Sequence, residues 1–329
     1  MLQLYQQLYK DQKTKWSTDR INYFIERRNS DLSNNQNRML NSLLNRKPRH
    51  ITLDRLIYTP EGSDTPVYTT KAQTIAEQAR LHFQTHAGST SSAVYNSVED
   101  LSEPWKQEYL PIPYIDANWW STFDSPITMD ELLNTLKILP NNKAPGPSGI
   151  TYEDIKHLHP SILLKLTTFF NLCLRHITLP KAWKQALIFP IPKLYEWEYL
   201  LSNTRPITLL ETPQKILYSI ITQRLNNILS KHNLLQHNNH AGLKGQSTYE
   251  PLVNIQHAIE SVNFNNQYKR SSRNKQDLWI AIQDLSKAYD RVDIRLLRLS
   301  LLRLKIPQAI TDFICQTFSD RFNQVILPN

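Results

Sequence analysis

The sequence predicts an α+β protein, with a basic helical N-terminal extension followed by a mixed region of longer helices and short strands. Three observations predict it. The first fifty residues hold ten Lys or Arg (Lys10 to Arg49) against Asp11, Asp19, Glu26 and Asp31, a local charge of +6, with apolar residues at helical spacing. From Thr128 onward, capping signals and apolar residues three and four apart alternate with short β-rich runs. An apolar content of 40%, with seven Trp and fifteen Tyr, supplies enough surface for a real core.

The elements follow in order. Leu2, Tyr5, Leu8 and Tyr9, then Ile21, Phe24 and Ile25, predict helices with a solvated basic face. Ile51–Tyr58 and Thr65–Thr70 predict two strands around a turn where Gly62 gives the backbone its freedom. Ile75, Ala79 and Phe83 mark one face of a helix, and the Ser-rich, aperiodic stretch His86–Asp100 reads as a linker. Trp119 and Trp120 read as a core anchor, with base stacking as the alternative. Thr128-Met-Asp-Glu131 is a capping box opening a helix with Leu132, Leu133, Leu136 and Leu139, which Pro140 ends. The prolines and glycines of Asn141–Gly149 require a loop. A helical stretch is expected over about Thr151–His176, a short strand at Ala186–Ile191, and helices near Pro213–Lys231, Ser247–Val262 and Ile294–Phe318. Leu278-Trp-Ile-Ala-Ile282 has the length and apolarity of a buried strand, and Asn323–Leu327 suggests another.

Composition narrows the function classes. The net charge of +9 favours polyanionic partners, although a generic basic protein has the same signature. Cys173 and Cys315 stand far apart, so neither a disulfide framework nor a zinc knuckle is implied. No apolar run has the length of a membrane span, and Met1–Lys15 lacks the features of a signal peptide. An intracellular protein, nuclear or cytoplasmic, is therefore expected, with no membrane partner.

Glycine is scarce: the chain has six, and Gly146, Gly149, Gly242 and Gly245 fall in two short loops, which become candidate functional positions. Asp284, just past the apolar run, is a candidate ligand for a hard cation, with the Leu285 carbonyl as a further oxygen donor. Its plainer reading is an N-cap for the following helix. Two-metal polymerases need such carboxylates to clamp the attacking and leaving oxygens.

Five blocks give these residues a context. They are Lys143-Ala-Pro-Gly-Pro-Ser-Gly-Ile150; Trp183 with Pro190-Ile-Pro-Lys193; Arg205-Pro-Ile-Thr-Leu-Leu210; Gly242-Leu-Lys-Gly245 with Ser247-Thr248; and Asp284 with Tyr289-Asp290. In this order and spacing the chain resembles the opening blocks of non-LTR (LINE-like) retrotransposon reverse transcriptases, over about Ile127–Asn329 and more loosely from Ile51. The resemblance implies an N-terminal extension over 1–124, reverse-transcriptase fingers over 125–275 and the start of a palm over 276–329. It implies RNA-directed DNA synthesis on an RNA template and a DNA primer, with Mg²⁺ as cofactor. Asp284 would be the first catalytic aspartate and a metal ligand, with Leu285 lending its carbonyl. Lys193 and Arg205 would grip the incoming triphosphate, a task suited to the guanidinium fork. Tyr289 would be the steric gate under the incoming sugar; its plain alternative is core packing. Lys143, Gly146 and Gly149 match a loop beside the template, and Gly242, Gly245 and Ser247 a second fingers loop.

The chain departs from the family pattern at Ser148, where Asp is frequent, at Leu243, where Phe is usual, and in the basic stretch Asn263–Asp277, which reads as an insertion. The second metal carboxylates of the family lie in a [Tyr/Phe]-x-Asp-Asp hairpin, and no Asp-Asp pair occurs in this sequence. The expectation is a polypeptide inactive by itself, needing the rest of the polymerase as partner, with an open palm sheet prone to aggregation. The competing readings are a non-catalytic RNA-binding module and a degenerate relic; group II intron maturases share the order of fingers and palm.

Overall fold

The computed structural model of the chain describes residues 2–34, 40, 53–86, 95–123, 125–193, 197–235, 239–242, 245–267, 277–285, 288–289 and 291–327. The chain forms two compact units, Met1–Thr52 and Leu53–Asn329. In the first, residues 2–34 of the basic region form one helix, α1 (Leu2–Asn34), which contains both apolar groups read from the sequence, Leu2–Tyr9 and Ile21–Ile25.

The second unit is mixed helix and sheet, as the sequence predicts. It opens with a two-stranded antiparallel hairpin, β1 (Leu56–Tyr58) and β2 (Val67–Thr69), in register Ile57 to Tyr68. Gly62, in the connecting turn, has the positive φ anticipated for it (79°). Helix α2 (Ala72–His86) buries Ile75 and Ala79 against Leu53, Leu56 and Leu201. Of the expected linker, residues 87–94 lie outside the described residues. After the short helix α3 (Trp105–Tyr109), Trp120 is fully buried and donates from Nε1 to the Leu304 carbonyl at 2.8 Å. Trp119 stacks on His232 with ring centroids 3.9 Å apart. Both tryptophans are thus anchors within the protein.

Helix α4 (Met129–Ile138) carries the capping box: Thr128 Oγ1 accepts from Glu131 N, and Glu131 Oε2 from Thr128 N. The stretch expected as one helix from Thr151 is two, α5 (Tyr152–Lys156) and α6 (Pro160–Arg175). Pro160 explains the break. It disfavours helical geometry at His159, which is extended, and instead opens α6. Helix α7 (Thr212–Lys231) runs through the second unit. Its Ile216, Leu217 and Ile220 join Leu132, Leu136, Leu163 and Phe170 in the largest core cluster. One end of α7 serves a second cluster, where Ile228 and Leu229 meet Trp120, Phe123, Leu301 and Ile310. Helix α8 (Tyr249–Gln267) follows. The last helical region is likewise broken, into α9 (Ile294–Arg303) and α10 (Gln308–Gln316) around Pro307.

A three-stranded sheet has the order β4–β3–β5, from β3 (Gln185–Pro192), β4 (Thr204–Leu209) and β5 (Phe322–Val325). Three prolines sit in it, and the register shows why they are tolerated. Ile191 lies opposite Arg205, and the ladder continues with Lys193 N donating to Asn203 O at 2.9 Å. Odd-numbered β3 residues therefore bond to β4, leaving Pro190 opposite Pro206 at a site that needs no N–H from either. Even-numbered residues face β5, whose parallel pairing reaches only Ile188. Pro190 and Pro192 lie beyond it.

The sequence expectation of a buried strand at Leu278–Ile282 is not met. Residues 277–285 form no helix or strand, and Trp279 and Ile282 are 89% and 92% exposed. A strand requires a partner for its backbone N–H and C=O groups. Among the described residues none pairs with this segment; the parallel place beside β3 is taken by β5.

Candidate functional site

The structure draws two of the five sequence blocks together at the N-terminus of α7. Gly146 lies so close to the chain at Leu210–Glu211 that an added Cβ would stand 2.5 Å from the Leu210 carbonyl oxygen and 2.6 Å from Glu211 N. Only glycine fits there. Gly149, at φ +75°, closes the turn by donating its N–H to Gly146 O at 3.0 Å. The loop is then fastened by Glu211, which is buried and accepts from Ser148 N at 2.8 Å and from Ser148 Oγ. Thr212 Oγ1 donates to Ile150 O, and Lys215 Nζ to Ala144 O at 3.1 Å. Burial pushes the Lys215 ammonium below its ordinary value, against the pull of Glu211, and the ammonium sits 5.1 Å from the centre of the Tyr152 ring. Lys143, beside this clasp, is exposed.

Glu211, Thr212 and Lys215 were not singled out by the sequence reading. An acid followed by Thr-Pro reads as an ordinary helix start, and its partner Ser148 is 63 residues away. Arg224 was missed for the same reason. Its guanidinium grips both oxygens of Glu131 at 2.7 Å and donates to the carbonyls of Phe123, Ser125 and Pro126. Burial would raise the Glu131 carboxyl, but Arg224 and the Thr128 N–H together hold it below its ordinary value.

The second and third blocks form the β3–β4 hairpin. Residues directly opposite in an antiparallel pair share a face, and so do residues two apart. Arg205 and Ile191 are opposite, and Lys193 is two beyond Ile191. Both cations therefore belong to one face, with Phe189 and Ile207. The other face of β3 holds Ala186, Ile188, Pro190 and Pro192, all buried. The Lys193–Arg205 face is the open one: Arg205, Ile191 and Ile207 are exposed, and no hydrogen bond or ion pair of the Arg205 side chain is found among the described residues. A guanidinium in that state can take an oxyanion in bidentate fashion.

The glycine block lies ahead of α8, which starts at Tyr249. Gly242 and Gly245 have φ of +76° and +86°, and His240 Nδ1 lies 3.2 Å from Glu250 Oε2. Ser247 Oγ accepts from Tyr249 N at 3.2 Å, just outside the helix. Residues 243–244, which hold the Leu243 departure, lie outside the described residues, as do 268–276 of the basic insertion.

Among the described residues no hydrogen bond or ion pair ties Asp284 to the other blocks, and its carboxylate lies in the exposed stretch 277–285. Leu285 is 70% and Tyr289 96% exposed, so neither packs in a core. The N-cap alternative for Asp284 is not adopted either: α9 is capped by Asp293, which accepts from Arg295 N and Leu296 N. Among the described residues no three His, Cys, Asp or Glu side chains gather as a metal cage. One exposed carboxylate with a neighbouring carbonyl does not make a Mg²⁺ site as placed, since that ion needs further fixed oxygens. Among those residues no helix is long and apolar enough to cross a membrane.

These blocks define a class of relatives: transposon-encoded reverse transcriptases. No protein-family model matches the chain. It is similar to a probable RNA-directed DNA polymerase from transposon BS of Drosophila melanogaster, 27% identical over 209 residues, 63% of this chain and 21% of the relative. It is likewise similar to the transposon TX1 149 kDa protein of Xenopus laevis, 27% identical over 186 residues, 55% of this chain and 13% of the relative. The polymerase of the mobile element jockey of Drosophila melanogaster is 34% identical over 119 residues, 36% of this chain and 13% of the relative. The chain thus aligns with about a fifth or less of the length of these curated relatives. The resemblance read from the sequence is borne out at this level: the relatives are transposon proteins, two of these three named as RNA-directed DNA polymerases, at moderate identity over a third to two thirds of the chain.

Proposed function

We propose that this chain is the fingers part of a non-LTR retrotransposon reverse transcriptase, preceded by a basic extension and running into the first block of the palm. In this reading the β3–β4 hairpin is the nucleotide grip. The observation that carries it is the placement of Lys193 and Arg205 on the open face of a hairpin whose β3 strand buries its other face. Rigid strands fix where the two charges sit, and charge fixed before the substrate arrives neutralises phosphate without reorganising. The clasped loop 143–150 would sit beside an RNA template, and a DNA primer would meet the palm.

Mg²⁺-dependent synthesis needs metal carboxylates beyond Asp284, and this polypeptide holds no Asp-Asp pair. We therefore expect no primer extension from these 329 residues by themselves. Product that appears with Mg²⁺ and survives Asp284→Asn would overturn both that expectation and the role of Asp284.

The grip is tested by titrating the full chain with dTTP in a calorimeter. Arg205→Ala should weaken binding about tenfold or more, as expected for loss of a charge-assisted bidentate contact. Equal affinity in the variant, or no binding by the parent chain, removes the hairpin from the proposal.

A further inference from the structure

The basic extension contains an order that its charge alone does not reveal. On α1, Tyr9, Lys13, Trp16, Arg20, Tyr23 and Arg27 follow one another at steps of four, three, four, three and four residues. Such steps keep side chains on one face. That face alternates aromatic and cation over roughly 27 Å, at 1.5 Å per residue. All six side chains are exposed. The Arg20 guanidinium lies 4.9 Å from the centre of the Trp16 ring and 5.9 Å from that of Phe24, so cation and aromatic are already stacked. Asp11, Asp19 and Glu26 project from other sides of the helix; Asp31, one turn beyond Arg27 on the same face, is buried and so does not share the exposed strip.

We propose that this strip is a docking surface for single-stranded nucleic acid. Aromatic faces offer stacking to unpaired bases of any sequence, and cations at the intervening positions meet the phosphates between them. A helix that lies on a membrane is built differently, with its cations on the side opposite its apolar residues. A coiled-coil seam would place apolar residues where Lys13, Arg20 and Arg27 stand. The proposal rests on α1 alone and is separable from the nucleotide grip, since neither Lys193 nor Arg205 belongs to it.

The test is fluorescence anisotropy of the full chain with a labelled oligouridine, over a salt series. Lys13→Glu with Arg20→Glu should weaken binding at least tenfold and flatten the salt dependence. Lys10→Glu with Lys15→Glu changes the net charge equally, away from the strip, and should weaken it far less. Trp16→Ala, which leaves charge untouched, should cost about fivefold or more on the single strand and nothing on a duplex. Lys, Arg and Glu are comparable helix formers, so circular dichroism should show the helix retained in both pairs. Equal losses in the two charge pairs would mean net charge is all that matters, and the strip fails. It fails equally if the duplex binds as well as the single strand. Binding to phosphatidylserine vesicles with none to oligouridine would assign the helix to a membrane surface.

Discussion

The loop 143–150 and the segment 277–285 make an instructive pair, because both were marked by equally plain sequence signals and only one is built into the fold. The loop is held by groups within its immediate neighbourhood: a glycine against the Leu210–Glu211 backbone, a buried carboxylate, a threonine hydroxyl and a lysine. The segment asks for something else. An extended apolar run is stable only when other strands satisfy its backbone and other side chains cover its faces. A motif settled by local contacts is complete once its neighbours fold. A motif settled by sheet pairing depends on partners far away in sequence.

The helical side of this comparison breaks most readily at Arg224. Removing a guanidinium that serves two carboxylate oxygens and three carbonyls leaves Glu131 without its counter-ion, held only by the Thr128 N–H, and takes the guanidinium from those carbonyls. Arg224→Ala should destabilise the second unit by about 3 kcal/mol, read as a shift of the urea midpoint at unchanged slope. Next comes Gly146→Ala, which forces a methyl group onto backbone rather than onto a yielding side chain. A loss of about 1–3 kcal/mol is expected. Tolerance of that methyl group would show that the loop is not clasped in solution.

Asp293 gives an effect of about 1 kcal/mol, the usual value of an N-cap, together with a pH signature. The Arg295 guanidinium, against the opposing effect of burial, and the N–H groups of Arg295 and Leu296 hold the Asp293 carboxyl down at about 2. Because the folded value lies below the ordinary 3.8, the stabilisation is complete above that value and fades as pH falls towards 2. Asp293→Asn should therefore be weaker than the parent chain at pH 7, and the gap should begin to narrow below about pH 4 and close as pH falls through about 2. A gap that persists at acid pH would mean the charge is not what caps α9.

The same division governs how much of the molecule was legible. Thr128 and Glu131 announced a helix start because both partners of a capping box lie within four residues. Gly62 announced its turn for a similarly local reason. The strand β4 went unread because Pro206 argues against a strand, and only the pairing shows that it stands opposite Pro190 on an edge. The site residues divide likewise. Lys193 and Arg205 were found through their blocks, but their common face follows from a register no spacing reveals. Glu211 and Arg224 were missed because their partners lie 63 and 93 residues away.

The smallest expected effect bears hardest on the comparison. Ile282 is almost wholly exposed, so Ile282→Ser removes little apolar contact from the folded chain. Stability should change by no more than about 0.5 kcal/mol, the range of surface substitutions away from special features. Solubility should rise, because Trp279, Ile280 and Ile282 together present an apolar stretch to water. The outcome is informative in the other direction too. A loss above about 1 kcal/mol is what burial of an aliphatic side chain would produce. It would mean that the run 278–282 finds strand partners in solution and that Asp284 then stands at the end of a buried strand, so that both motifs are built into the fold.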